Sequence, residues 1–106
     1  MSNSRLDTFR AMVAKNPSNA LARFGLANEA LKDGLHEEAL ENLRVYLSSY
    51  EDEGNGYARL AQALEALGRI DEAKEALRLG VATSQRFGHA GMANELTARL
   101  EEMEET

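Results

Sequence analysis

His36 and His89 are the side chains in this chain best suited to proton transfer or metal ligation near neutral pH. Neither has a second histidine one helical turn away, so the pair that grips zinc on a helix face is missing. His36-Glu37-Glu38 sets two carboxylates beside one histidine without the spacing of a zinc protease. The remaining nucleophiles are hydroxyls. Ser48-Ser49 and Thr83-Ser84 have no base close in sequence, and no G-x-S-x-G turn occurs. Gly88-His89-Ala90-Gly91 is the densest glycine stretch, yet it lacks the Lys and Ser/Thr of a phosphate-cradling loop. With no cysteine, there is no disulfide, thiol catalyst or thiolate metal site. The acid pairs Glu37/Glu38 and Glu101/Glu102 read as solvated neighbours. The chain is therefore expected to have no catalytic residues, no metal and no cofactor, and not to be an enzyme.

The elements that would have to position any chemistry are helices. Apolar residues recur at helical spacing in six segments, and no alternating strand pattern is present. The first is expected over 5–15, capped by Ser4, with Leu6, Phe9, Met12 and Val13 on one face. Asn16-Pro17-Ser18-Asn19 stops it, because proline disfavours helix at the residue before it, and Ser18 or Asn19 caps the next. The second runs from Ala20 to Lys32, where Gly34 supplies a left-handed end. The third runs from His36 to Ser49. Gly54-Asn55-Gly56 marks the longest break. The fourth is expected from Tyr57 to Leu67, the fifth from near Asp71 to Arg86, and the sixth from Ala90 to Met103. Glu51 to Glu53 reads as a solvated acidic loop.

Two of these hairpins are copies. LANEALKDGLHEEALENL (Leu26 to Leu43) lies over LAQALEALGRIDEAKEAL (Leu60 to Leu77) without a gap, at a spacing of 34 residues. Gly34 meets Gly68, Ala39 meets Ala73, and Leu43 meets Leu77. A fixed period of this size marks a solenoid, in which each helical hairpin buries its apolar face against the next.

Charge and hydropathy narrow the partners. The net charge is −6, which disfavours nucleic acid and anionic lipid as ligands. No run of 18 apolar residues occurs, and MSNSRLDTFR lacks the apolar core of a signal peptide. A cytoplasmic location and no membrane partner are expected.

The aligned leucines, the turn glycines and the alanines resemble the tetratricopeptide repeat (TPR) family. Leu26, Ala27, Gly34 and Ala39 match its pattern, as do Tyr57, Leu60, Ala61, Leu64, Gly68, Ala73 and Leu77. Asn16-Pro17-Ser18-Asn19 resembles the turn between its repeats. Arg23 and Tyr46 depart from it: Arg23 stands where a large apolar residue is usual, and Tyr46 where a small one lets helices approach. Gly80 supplies the small residue in the second copy. The resemblance implies an all-α, right-handed superhelical stack of antiparallel hairpins. It divides a single domain over 1–106 into a half repeat (5–15), two repeats (20–53 and 54–87), a capping helix (90–103) and an acidic tail (104–106).

It also implies a function. In that family the first helix of each hairpin lines a concave groove that holds a peptide or a partner helix. Carried over, the groove residues are Leu21, Phe24, Asn28, Leu31 and Lys32 in the first copy. In the second they are Asn55, Ala58, Gln62 and Glu65, with Arg59 beside them. Phe24 and Ala58 replace the cations that would clamp a terminal carboxylate, so an apolar ledge beside the amides of Asn28 and Gln62 is expected to bind an extended peptide or a helix. The expected function is a non-catalytic adaptor for a protein partner. The alternatives are a homodimer sealed by Met92, Leu96, Leu100 and Met103 of the C-terminal helix, and a regulatory domain of a longer protein.

Overall fold

The computed structural model describes residues 3–105. They form six α-helices: α1 (Ser4–Lys15), α2 (Ala20–Lys32), α3 (His36–Ser49), α4 (Asn55–Ala66), α5 (Ile70–Arg86) and α6 (Ala90–Glu104). No strand occurs among the described residues. The chain divides into two compact units, Met1–Tyr50 holding α1 to α3 and Glu51–Thr106 holding α4 to α6.

In the first unit, α1 is capped by Asn3 rather than Ser4. Asn3 Oδ1 accepts from the amides of Arg5 (3.0 Å) and Leu6 (3.1 Å), so Ser4 becomes the first helical residue. Both residue types cap well, and the side chain that reaches the second and third free amides decides the boundary. Asn19 caps α2 in the same way, accepting from Ala22 at 3.1 Å. The α2–α3 turn closes with Leu35 donating to Ala30 O (2.8 Å) and Gly34 donating to Leu31 O (3.2 Å). This two-bond closure needs a left-handed residue, and Gly34 has φ +74°. Ala27, Ala30, Ala39 and Leu43 are fully closed off, which is the small-residue packing that brings α2 and α3 together.

The two departures from the repeat pattern find partners. Arg23 donates through Nε to Pro17 O and through Nη1 to Asn42 Oδ1, both at 3.0 Å. A polar bridge from α2 to α3 thus replaces the apolar contact. Tyr46 is only 4% exposed, its ring centroid 4.7 Å from that of Phe24 and 5.2 Å from that of Tyr50. Its bulk is absorbed inside the first unit by this aromatic row. Helix α1 lies on α2 with the Phe9 ring over Gly25. A Cβ there would come within 2.6 Å of Phe9 Cζ, so no other residue fits without moving the ring.

In the second unit, α4 begins at Asn55, two residues before the expected Tyr57. Asp52 causes the difference. Its Oδ1 accepts from Gly54 N (2.8 Å) and Gly56 N (2.7 Å), satisfying amides that an unstarted helix would leave to water. It is 8% exposed, so the acidic loop is not uniformly solvated as expected. The α4–α5 turn repeats that of the first unit, with Arg69 donating to Leu64 O (2.8 Å) and Gly68 at φ +75°. The α5–α6 turn repeats it a third time, with His89 donating to Ser84 O (2.8 Å) and Gly88 at φ +77°. The break between Arg86 and Ala90 is expected from the sequence, but the 34-residue spacing does not reach Gly88 and so does not announce that the glycine closure recurs there.

Gly80 lets three helices meet. A Cβ on it would lie 2.9 Å from Leu96 Cδ1 and 3.1 Å from Tyr57 Cβ, which confirms its role as the small residue of the second copy. Met92 Sδ lies close to Gly54, and Leu96 is 2% exposed. These two members of the expected dimer seam are therefore used within their own unit, while Leu100 and Met103 are half-buried.

Candidate protein-binding faces

Three of the predicted residues in the first unit share one stripe of α2. Leu21, Phe24 and Asn28 are spaced i, i+3, i+7, which places them on one helix face. Leu21 is 68% exposed, and Phe24 is half-buried against Tyr46. Asn28 Oδ1 is buried and accepts no hydrogen bond. An acceptor in that state is costly, since it has given up water and gained nothing. Lys32 is exposed, and its Nζ lies 3.5 Å from Glu29 Oε1. Leu31 corrects the expectation of an open apolar ledge. It continues the inward stripe of Ala27 and Ala30, one turn on from Ala27, and at 9% exposure it belongs to the core.

Glu29 organises this end of the unit. Its carboxylate meets Arg5 Nε at 2.8 Å and Asn3 Nδ2 at 3.3 Å. The hydrogen bond from Asn3 holds the carboxyl below its usual range against the opposing effect of burial, and Lys32 and Arg5 add their charges. Glu38 on α3 is held low chiefly by its hydrogen bonds from Arg10 of α1.

In the second unit, Asn55, Arg59, Gln62 and Glu65 are exposed along α4 and Ala58 is half-buried. Ala58, Gln62 and Glu65 fall at i, i+4, i+7 and so share a face. Glu65 also borders an open cleft of about 490 Å³ with Arg99, Glu102, Met103 and Glu105 of α6 and the residue that follows it. From the sequence Glu102 reads as a solvated acid, and Arg99 and Glu105 carry no mark of a site. The i, i+3, i+6 spacing of 99, 102 and 105 was the available signal.

The residues with catalytic potential are not brought together. Ser84 is fully buried, and its hydroxyl donates to Gly80 O at 2.7 Å. His89 Nε2 lies 2.5 Å from Glu53 Oε1 on the surface. His36 starts α3, and its Nδ1 is buried without a partner. Among the described residues no three His, Cys, Asp or Glu side chains are placed to hold a metal ion. No helix among them is long and apolar enough to cross a membrane.

Paired helices joined by a recurring glycine turn, with exposed residues on the first helix of each pair, define an all-α helical-repeat protein. A family model described as tetratricopeptide repeat matches residues 1–84. A TPR repeat-containing protein of Pseudomonas aeruginosa, PA0015, is 30% identical over 99 residues, spanning 93% of this chain and 94% of that protein. The chain belongs to the tetratricopeptide repeat family. That family is in general a fold for binding other proteins rather than for catalysis. The family match ends at Ser84 in α5, so α6 lies beyond it.

Proposed function

We propose that this protein is a non-catalytic adaptor that holds an extended peptide or a helix of a protein partner through an exposed face of α2 in the first unit or of α4 in the second. The observation that carries this reading is Asn28 Oδ1, buried without a hydrogen bond beside exposed Leu21. A partner's backbone N–H would satisfy the acceptor once the half-buried Asn28 amide turns outward, and an apolar side chain would cover Leu21. Backbone hydrogen bonds with a few apolar anchors are how extended peptides gain affinity. Gln62 offers the corresponding amide on α4.

The test is affinity capture from the source cells with wild-type protein, Leu21→Asp and Gln62→Ala. Both side chains are exposed, so neither change should disturb the fold. A protein captured by the wild type and lost by the variants supports the adaptor. A protein held equally by all three contradicts these faces.

A further inference from the structure

Helix α1 is attached to the first unit differently from the helices it joins. Of its side chains only Leu6 and Val13 are buried, against six on α2 and five on α3. The rest of its hold is polar and sits at two points. Arg5 Nε (2.8 Å) and Asn3 Nδ2 (3.3 Å) meet the carboxylate of Glu29 on α2, and Arg10 meets Glu38 on α3. Phe9, between Arg5 and Arg10 on α1, lies over Gly25. Leu21, Gly25 and Asn28 are spaced i, i+4, i+7, so the Phe9 ring fills a notch in the middle of the candidate stripe of α2.

The α2–α3 hairpin has closures of its own. Asn19 caps α2, and Arg23 links Pro17 O to Asn42 of α3. Ala27, Ala30, Ala39 and Leu43 are closed off where the two helices meet. α1 is joined to this hairpin through Asn16 and Pro17, and a proline donates no backbone hydrogen bond. Once undocked, the 12 residues of α1 are too few to hold a helix in water.

We infer that α1 is a detachable lid on α2, with Phe9 filling the Gly25 notch and with Glu29 and Glu38 as catches that protonation opens while α2 and α3 stay paired. On the adaptor reading, on which this consequence alone rests, opening adds the notch to the face offered to a partner. The groups around the catches set the direction. Glu29 faces Asn3 and Arg5 from the α1 side and Lys32 on its own helix at 3.5 Å, while Asp33 shares Asn3 Nδ2 at 3.3 Å. Glu38 faces Arg10, which also reaches Asp7 at 3.5 Å. Its charged or titratable neighbours on α3 are His36, Glu37 and Glu41. From α2, Arg23 reaches Asn42, whose Nδ2 donates to the Glu38 carbonyl at 2.8 Å. Hydrogen bonds from Asn3 and from Arg10 hold the two carboxyls below their ordinary value of 4.5. The catches are therefore closed above that value and open as pH falls through the lower, folded values.

The test is hydrogen exchange of the full chain, read by mass spectrometry and corrected for the intrinsic effect of pH, from about pH 6.5 to about pH 3. Protection of the α1 amides should fall on the order of tenfold before that of α2 and α3 changes. Glu29→Gln/Glu38→Gln should abolish this early step. Arg5→Gln/Arg10→Gln should leave α1 unprotected already at the upper end of the range, with circular dichroism showing the other helices retained. Loss of protection in α1, α2 and α3 together, no loss in α1 across the range, or an early step that survives in either variant would overturn the inference. Exchange is measured without a partner, so the capture experiment on Leu21 and Gln62 judges the adaptor reading separately.

Discussion

Arg10 and Glu38 form a two-point clasp, with Nε 2.8 Å from Oε2 and Nη2 2.7 Å from Oε1, tying α1 to α3 across 28 residues. Parallel hydrogen bonds of this kind fix geometry as well as attraction. With Phe9 over Gly25 and Arg5 on Glu29, the clasp holds α1 against the hairpin that follows it.

The clasp makes stability depend on pH. Hydrogen bonding from Arg10 lowers the folded pKa of Glu38, and that from Asn3 lowers the pKa of Glu29, each from an ordinary value of 4.5. A depressed carboxyl pKa means the unfolded chain binds protons first. The contribution is complete well above pH 4.5 and fades as pH falls through the folded pKa values. Urea midpoints measured on either side of that range should drop towards acid. The drop should be smaller in Glu29→Gln/Glu38→Gln, and an identical drop would remove both carboxylates from the explanation.

Gly25 and Phe9 should be coupled. Gly25→Ala forces the Phe9 ring aside and should cost about 1–3 kcal/mol, as overpacking does. In a Phe9→Ala background the same change should cost much less, because the ring is no longer there to displace. Additive costs in a thermal-denaturation cycle would show that the two do not meet.

Asp52→Ala should unravel the start of α4. Two amides lose their acceptor, at a cost of about 1–2 kcal/mol. Hydrogen exchange at Gly54 and Gly56 should quicken while exchange in the middle of α5 changes less. Unchanged protection at both amides would mean the cap is not formed in solution.

Ala73→Asp should unfold the second unit, since Ala73 has no exposed surface and a buried unpaired carboxylate has no compensation there. Gly68→Val should cost about 1–3 kcal/mol because φ +75° is strained for a β-branched residue, although open space surrounds the position. Retained helicity in Ala73→Asp by circular dichroism would contradict the repeat packing.

The parts of this structure that were legible in the sequence are local. Gly34 and Gly68 announced their turns because a left-handed helix end needs glycine, and Ala39 and Ala73 announced close packing because nothing larger fits. What escaped depends on partners distant in sequence or on competition between neighbours. Asn3 and Ser4 are both good caps, and only the geometry of the first turn selects Asn3. Asp52 sits in an acidic run that looks solvated until Gly54 and Gly56 turn their amides to it. Arg10 carries no sign of Glu38. Leu31 reads as a groove residue by analogy, but it falls on the buried stripe of its helix. Of the candidate faces, Leu21 and Gln62 stand on exposed surface, whereas the cleft of Arg99 and Glu105 emerged only when α6 was set beside α4.

The measurement that bears most directly on the adaptor reading is made on Asn28→Ala, with melting temperature and partner capture determined on the same preparation. Removing a buried acceptor that lacks a partner relieves a penalty of about 1–3 kcal/mol in the free protein. The account predicts a melting temperature equal to or above that of the wild type together with loss of the captured partner. A lower melting temperature with capture intact would show that Asn28 serves the fold and not a ligand.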